Sequence, residues 1–327
     1  MHFKPLAAVK LASLSNSESK QNILQKIDSG LFSAAWWPTA NFEAGLNLSR
    51  LVLWLFIWDD EIDAEGGHLA GDFQAAQDFR QTTINFVEHC LGLTNSYCPT
   101  PSNQILQFFK RIGDAVCHSY DEGKALLFSE IKFFIECSEL EQSRRLSPDL
   151  PTIAEYQETR MGTSAVNITT FFNEYACNIT LPVAVLEEPL MKIIWDKTNT
   201  IIWAVNDIVS LNKEVAQNTV DSMVPLLYTE FGSMKTALAM IVGLVEEAVE
   251  SFDRAATALL GKYSDDGTIA DKLTLYIDAC RQNCTGNLYW SLRTARYDSI
   301  MKHETAAYRL GEAGWSHPSR VQGIGHA

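Results

Sequence analysis

Apolar residues recur three and four positions apart along almost the whole 327-residue chain, and no sustained alternation of apolar and polar residues marks consecutive strands. This spacing puts apolar side chains on one face of successive helices. Helix-ending residues such as Pro38, Gly123 and Gly232 interrupt the pattern. The sequence therefore predicts an all-α, single-domain helical bundle over residues 1–327 with about ten helices. We expect a loosely held, Gly-, Ser- and His-rich tail over residues 311–327.

The chain carries 40 acidic and 26 basic residues, a formal net charge of −14. A protein with this charge does not bind nucleic acid or an anionic membrane surface as its main task. The most apolar run, Leu51 to Trp58, is too short to span a bilayer, and the N-terminal segment lacks the continuous apolar stretch of a secretory signal. We therefore expect a cytoplasmic protein without stable membrane insertion.

A dense acidic cluster follows the apolar run LVLWLFIW and contains Asp59, Asp60, Glu61 and Asp63. Such a density of like charges is costly unless a cation is bound nearby. On a helix Asp59 and Asp63 share a face, and their hard oxygen donors suit Mg²⁺ better than a soft metal. An EF-hand is excluded, because Ala64 stands where that loop needs glycine. The alternative is a solvated helix end, since charge runs usually face water.

A second polar cluster ends the apolar segment that begins at Pro189. Asn206, Ser210 and Glu214 are spaced four residues apart, so on a helix an amide oxygen, a hydroxyl and a carboxylate line up on one face. These oxygen donors suit a divalent cation. The alternative is an ordinary polar face on which Ser210 bonds back to the preceding turn. If the two clusters face each other across one cavity, metal ions at its rim would hold an anion.

With these two clusters the chain resembles the class I terpene synthases of the microbial, fungal type, over nearly its whole length. Asp59, Asp60 and Asp63 match the family's D-D-x-x-D motif, and the segment NDIVSLNKE matches its N-D-x-x-S-x-x-x-E metal triad. The resemblance implies a helical bundle around an apolar cavity and a cluster of three Mg²⁺ ions, with Mn²⁺ as a substitute. The metal ligands that it implies are Asp59, Asp60, Asp63, Asn206, Ser210 and Glu214.

Further matches to the family concern binding of a substrate diphosphate. Arg160, in the segment TRMGTS, stands where the family has its diphosphate-sensing arginine. Thr163 and Ser164 then correspond to the linker and effector positions of the induced-fit segment, and Arg296-Tyr297 matches the family's Arg-Tyr pair. The resemblance implies that the diphosphate is bound by Arg160, Asn206, Lys213, Arg296 and Tyr297.

Two aromatic residues match the wall of the family's cavity. Phe56 lies three residues before Asp59, and Trp290 lies in the segment GNLYWS. A desolvated aromatic face stabilises a cation by about 2 kcal/mol, so a carbocation would be held against such a wall. The alternative for each side chain is ordinary core packing.

The family's activity is metal-dependent ionisation of a prenyl diphosphate, followed by cyclisation of the carbocation in a pocket that excludes water. This lyase chemistry requires no side-chain nucleophile, and the sequence offers no Ser/His/Asp or Cys/His arrangement for one. A chain of this size most resembles the enzymes that convert farnesyl diphosphate into sesquiterpenes. Geranylgeranyl diphosphate, the precursor of diterpenes, and geranyl diphosphate stay as alternatives. Enzymes of this kind often form homodimers, and the oligomeric state of this chain stays open.

Two other classes of protein compete with this interpretation. A chain-elongating isoprenyl diphosphate synthase shares the fold but has two aspartate-rich motifs, whereas the second cluster here is Asn206, Ser210 and Glu214. It would also need basic residues for a second diphosphate, and Leu51 to Asp63 contains none. A non-catalytic helical binding protein would have to carry all the matched features by coincidence. Metal-dependent release of diphosphate distinguishes an enzyme from such a binding protein.

Overall fold

The computed structural model describes residues 25–63, 67–119, 123–147, 149–216 and 221–297. Within these ranges the chain is helical and contains no β-strand, which confirms the predicted all-α class. The tail predicted at 311–327 lies outside the described residues. The described helices, ten of which have eight or more residues, are α1 (Ser29–Trp36), α2 (Phe42–Asp63), α3 (Phe73–Cys90), α4 (Gln104–Ser119), α5 (Lys124–Arg145), α6 (Ile153–Thr163), α7 (Val166–Phe171), α8 (Asn173–Cys177), α9 (Val183–Leu186), α10 (Pro189–Ala216), α11 (Met223–Phe231), α12 (Met234–Lys262) and α13 (Gly267–Ser291), and a 3₁₀ turn follows at Ala295–Tyr297.

Both apolar segments that end in polar clusters form long helices. Helix α2 begins at Phe42, because Asn41 Oδ1 accepts a hydrogen bond from the Ala44 N–H at 2.9 Å and so caps the first turn. Helix α10 begins at Pro189, whose fixed φ angle and missing N–H suit the first helical position. The acidic cluster lies in the last turns of α2, and the second polar cluster lies in the last three turns of α10.

Helices α1, α2 and α13 pack together over one large apolar core, and α10 packs against α12 and α13. Helix α1 approaches α13 closely at Gly286, where an added Cβ atom would lie 2.3 Å from the Ala35 carbonyl oxygen. A buried amide chain reinforces this contact. Asn283 Nδ2 donates to the Trp36 carbonyl at 3.1 Å, and Asn173 Nδ2 donates to Asn283 Oδ1 at 2.8 Å. These contacts therefore fix the position of α1 along the axis of α13.

No helix in the described ranges combines the length and the apolar character needed to cross a membrane.

Replacing Gly286 with alanine tests the close contact between α1 and α13. The new methyl group would overlap the Ala35 carbonyl, so the helices must separate, and we expect the free energy of unfolding to fall by about 1–3 kcal/mol. Gly243→Ala in α12 is the matched control, because an added Cβ there meets nothing within 4 Å. That change should raise stability by about 1 kcal/mol through helix propensity alone. Urea denaturation measures both, and equal effects would contradict the predicted overlap.

Candidate active site

A cavity of about 190 Å³ opens among helices α1, α2, α5, α6, α7, α10 and α13. This volume is many times the ~15 Å³ that a single water molecule needs. Both polar clusters and the aromatic candidates contribute to its walls. The apolar lining residues are Phe32, Trp36, Val52, Leu55, Phe56, Phe134, Ala165, Val166, Ile202, Trp203 and Trp290, and the polar ones include Asp59, Glu141, Arg145, Tyr156, Arg160, Thr163, Ser164, Asn206, Ser210, Lys213, Glu214, Asp221, Ser222, Arg296 and Tyr297.

The acidic cluster at the end of α2 is partly buried rather than a solvated helix end. Asp59 lines the cavity, and burial together with the neighbouring Asp60 raises the pKa of its carboxyl to about 6. Asp60 accepts two hydrogen bonds from the Arg296 guanidinium, at 2.9 and 3.1 Å, so the pair is bidentate. Asp63 is the last residue of α2, and its side chain lies outside the described residues. The Arg296 guanidinium thus compensates one of the buried carboxylates.

The second cluster lies along one face of α10, as the spacing predicts. Ser210 Oγ lies 2.6 Å from Glu214 Oε1 and 2.7 Å from the Asn206 carbonyl oxygen, so the bond to the preceding turn is also present. Glu214 Oε2 is buried without a hydrogen-bond partner. Burial and the nearby Asp207 raise the pKa of the Glu214 carboxyl. An unpartnered carboxylate oxygen on the cavity wall is suited to a cation.

The described residues contain no group of three His, Cys, Asp or Glu side chains arranged as a preformed metal centre. Two of the three donors on α10 are an amide and a hydroxyl, which such a group does not include, and the Asp63 side chain lies outside the described residues. The donor set is nevertheless made of hard oxygens, which fit Mg²⁺ or Mn²⁺ and not a thiolate-binding metal. The residues present therefore fit a hard divalent cation.

Asn206 joins the two predicted diphosphate-binding segments. Its Oδ1 accepts a hydrogen bond from Arg160 Nη2 at 2.8 Å, and its Nδ2 donates to the Tyr297 hydroxyl at 2.7 Å. Arg160 Nε is buried and has no hydrogen-bond partner, so the guanidinium retains an unused donor. Lys213, one turn before the end of α10, also lines the cavity, and burial followed by the repulsion of Arg296 lowers the pKa of its ammonium group. The structure thus brings the predicted cationic residues to one rim.

Asp207 is not on the cavity wall, although it is the second residue of the N-D-x-x-S segment. Its Oδ2 accepts hydrogen bonds from the Tyr156 hydroxyl at 2.6 Å and from the Met223 N–H at 3.2 Å, and its Oδ1 lies 3.4 Å from Arg160 Nη2. Burial opposes the charge on Arg160, but the nearby Tyr156 and Asp207 raise its pKa above the ordinary value. Asp207 therefore ties α6, α10 and the start of α11 together behind Arg160.

The aromatic wall forms around Trp290. Its ring centroid lies 5.6 Å from that of Phe56 and 5.0 Å from that of Phe32, and its indole N–H donates to the Ile27 carbonyl at 2.9 Å. The Arg296 guanidinium lies over the Phe56 ring at 4.6 Å from the centroid. The cluster of Phe56, Trp290 and Phe32 therefore contacts the polar rim through Phe56 and lines the apolar part of the cavity.

Thr163 and Ser164 lie where α6 ends and α7 begins, and both line the cavity. Thr163 Oγ1 is buried without a hydrogen-bond partner. Ser164 Oγ donates to Asn199 Oδ1 on α10 at 2.7 Å. The predicted induced-fit segment is therefore a helix break that faces the cavity.

Sequence reasoning missed several polar residues of the cavity. Glu141 and Arg145 lie one turn apart on α5, and burial raises the pKa of the Glu141 carboxyl to about 8. Asp221 and Ser222 precede α11 and also line the cavity. None of these four belongs to a recognisable motif. The sequence shows only that Glu141 and Arg145 are four residues apart, which places them on one helix face.

The known proteins that this chain is similar to are terpene synthases and cyclases. Residues 50–251 match the model of terpene synthase family 2, C-terminal metal binding. The sesquiterpene cyclase hepA of Aspergillus oryzae is 34% identical over 280 residues, which cover 83% of this chain and 76% of the relative. The 10-epi-cubebol synthase of Sorangium cellulosum is 28% identical over 270 residues, covering 81% and 82%. The crystal structure of linalool/nerolidol synthase from Streptomyces clavuligerus has a TM-score of 0.75 and 17% identity, covering 87% of this chain and 96% of that one.

Tyr156→Phe tests the contacts that hold Asp207 behind Arg160. The substitution removes one hydroxyl and leaves the buried Asp207 carboxylate without its shortest hydrogen bond, so we expect the free energy of unfolding to fall by about 1–3 kcal/mol. Tyr289→Phe is the control, because the Tyr289 side chain is 46% exposed and its loss of a hydroxyl should change stability by less than about 0.5 kcal/mol. Equal stability of the two variants in urea denaturation would show that the Tyr156 bond contributes nothing.

Proposed function

Because the chain belongs to the class I terpene synthase family, we propose that it ionises farnesyl diphosphate, releases diphosphate and cyclises the remaining farnesyl cation. Loss of a proton to the released diphosphate then gives a neutral sesquiterpene. One observation supports this proposal above all: two clusters of oxygen donors and an aromatic wall line the same cavity. Ionisation needs the polar rim, and cyclisation needs the apolar interior.

The diphosphate group would be bound by Arg160, Lys213, Arg296 and Tyr297. Arg160 has an unused Nε–H, and it would exchange its bond to Asn206 Oδ1 for a diphosphate oxygen. Each unit-charge pair at ~4 Å and an effective dielectric constant of ~20 is worth roughly 4 kcal/mol. In a chain of net charge −14 the rim also carries carboxylates, so bound divalent ions together with Arg160, Lys213 and Arg296 would make it attractive to an anion.

The residues that would hold divalent ions are Asp59, Asp60 and Asp63 on α2 and Asn206, Ser210 and Glu214 on α10. Glu214 Oε2 is buried without a partner, and release of Asn206 Oδ1 by Arg160 would free a second donor. We propose three Mg²⁺ ions, replaceable by Mn²⁺. When bound, these ions neutralise the charge that develops on the leaving diphosphate.

The wall residues act after the carbon–oxygen bond has broken and its electron pair has left with the diphosphate. Phe56 and Trp290 present ring faces to the allylic cation and contain no nucleophile that would trap it. Their apolar neighbours exclude water, which would otherwise quench the cation early. Thr163 and Ser164 at the helix break complete this wall.

Incubation of the purified protein with Mg²⁺ and, separately, geranyl, farnesyl and geranylgeranyl diphosphate tests the proposal. Diphosphate release is measured, and products are identified by mass spectrometry. Cyclic sesquiterpenes from farnesyl diphosphate are expected. Turnover of geranylgeranyl diphosphate alone would show that the substrate is the diterpene precursor. Longer linear diphosphates, formed when a homoallylic diphosphate is added to the incubation, would indicate chain elongation. No metal-dependent release from any of the three would defeat the proposal.

Asp59→Asn and Asn206→Ala test the two metal-binding clusters. Each change removes one oxygen donor from the cavity rim, so we expect diphosphate release to fall by about 10²-fold or more while helix content stays unchanged. Asp114→Asn on α4 is the matched control, because that side chain is 61% exposed, pairs with Lys110 and does not line the cavity. Diphosphate release near the wild-type rate in either cluster variant would remove that cluster from the metal assignment.

Trp290→Leu tests the aromatic wall. Loss of the indole face opposite Phe56 should change the product distribution, because the cation loses a ring that stabilises one folded conformation by about 2 kcal/mol. Trp54→Leu is the control, since Trp54 is equally buried but packs on Phe109 and does not line the cavity. Mass-spectrometric product ratios are compared, and Phe56→Leu replaces Trp290→Leu if the latter does not fold. An unchanged product ratio would assign these rings to core packing.

A further inference from the structure

The break between α6 and α7 forms part of the cavity wall and has a strained backbone. The Ser164 N–H donates to the Arg160 carbonyl at 3.1 Å, but the next N–H, that of Ala165, donates to Gly162 at 3.0 Å and tightens the last turn. Ala165 has a φ angle of +55°, in the left-handed region that is unfavourable for a residue other than glycine. Such a conformation persists only where the surrounding structure holds it.

One side chain on α10, Asn199, contacts both sides of this break. Its amide is fully buried, with 0% of the residue exposed. Asn199 Nδ2 donates to the Met161 carbonyl in the last turn of α6, at 2.7 Å, and to Asn167 Oδ1 in the first turn of α7, at 3.0 Å. Asn199 Oδ1 accepts from Ser164 Oγ between them, at 2.7 Å. A single amide therefore satisfies groups before, within and after the break.

The Met161 carbonyl explains why an amide donor is needed at this position. In a continuing helix this carbonyl would accept from the Ala165 N–H, which instead donates to Gly162. The Met161 carbonyl is therefore one of the acceptors left over at the helix end, and Asn199 Nδ2 supplies its donor. A leucine of similar size at position 199 would leave this buried carbonyl unpaired.

Asn199 also fixes the position of the break along α10, relative to the second polar cluster. Asn199 and Asn206 are seven residues apart on α10, about two helical turns, and therefore share a face. Arg160 contacts Asn206, whereas Met161 and Ser164 contact Asn199. The C-terminal end of α6 is thus hydrogen-bonded to α10 at two positions, Asn199 and Asn206. The cavity wall cannot shift along α10 without breaking the hydrogen bonds at one of these positions.

A second contact extends this arrangement to α5. Asn167 Nδ2 donates to Glu130 Oε2 at 3.0 Å, so the first turn of α7 is bonded to α5 as well as to α10. The break is therefore held between two long helices, and Asn199 is the residue that contacts it most directly.

We propose that Asn199 is a positioning residue that fixes the cavity wall at Thr163 to Ala165 and thereby determines the distribution of cyclisation products. This inference rests on the proposed function. Asn199 does not line the cavity, so it acts only through the segment that it holds. Substrate binding and ionisation depend instead on Arg160 and Asn206, so replacing Asn199 should change them little.

Asn199→Leu is assayed with farnesyl diphosphate and Mg²⁺, with the product ratio, KM and melting temperature recorded. We expect the ratio of the main product to the others to change at least about threefold to tenfold, the effect of losing one of the three hydrogen bonds that Asn199 makes, while KM stays within about twofold. The matched control is Thr198→Val, which removes a fully buried hydroxyl that donates to Ile194 in its own helix. The control should keep the wild-type ratio.

Ser164→Ala provides a second variant that retains the buried amide and should fold even if Asn199→Leu does not. It should shift the same products, and the double variant should be less than additive because the two residues act through one contact. An unchanged product ratio in Asn199→Leu, or in Ser164→Ala where the former does not fold, overturns the inference. If the wild-type protein itself releases no diphosphate, the proposed function fails, and the inference fails with it.

Discussion

The desolvated charges at the rim of the cavity determine how the rest of the structure is arranged. Carboxylates at the ends of α2 and α10 are taken out of water, which raises the pKa of Asp59 to about 6 and raises that of Glu214 as well. Burial of like charges is unfavourable unless cations compensate them. Arg296 supplies this compensation at Asp60, and Arg160 supplies it at Asp207. Under the proposed function the same guanidinium groups bind the incoming diphosphate, so one set of charges would stabilise the fold and bind the substrate.

Helix α10 connects these charges with the apolar part of the cavity. Near its middle, Asn199 holds the break between α6 and α7, and two turns later Asn206 joins Arg160 to Tyr297. On the next two turns, Ser210 and Glu214 face the cavity. A shift of α10 would therefore move the polar rim and the cavity wall together. These contacts therefore fix the distance between the helix break and the polar rim.

The parts of the site that could be predicted from the sequence are those that depend on spacing within one helix. Asn206, Ser210 and Glu214 lie on one face because their spacing matches the helical period, and the apolar run before Asp59 requires a buried helix. Arg160 and the pair Arg296-Tyr297 came only from resemblance to a family, since their distances along the chain have no local meaning. Tyr156, Glu141 and Asp221 could not be predicted, because they reach the site only through packing of α5 on α6 and of α6 and α11 on α10.

The same distinction separates the reaction that starts in this cavity from the product that leaves it. Ionisation depends on charges and hard oxygen donors, whose identity can be read from short motifs at the ends of two helices. Under the proposed function, product distribution depends on the shape of a wall that includes Trp290 and a helix break with a left-handed Ala165. That wall is held by tertiary bonds from Asn199 and from the Ile27 carbonyl, and neither residue belongs to a catalytic motif. Chains with identical metal-binding motifs can therefore form different products when the residues behind the wall differ.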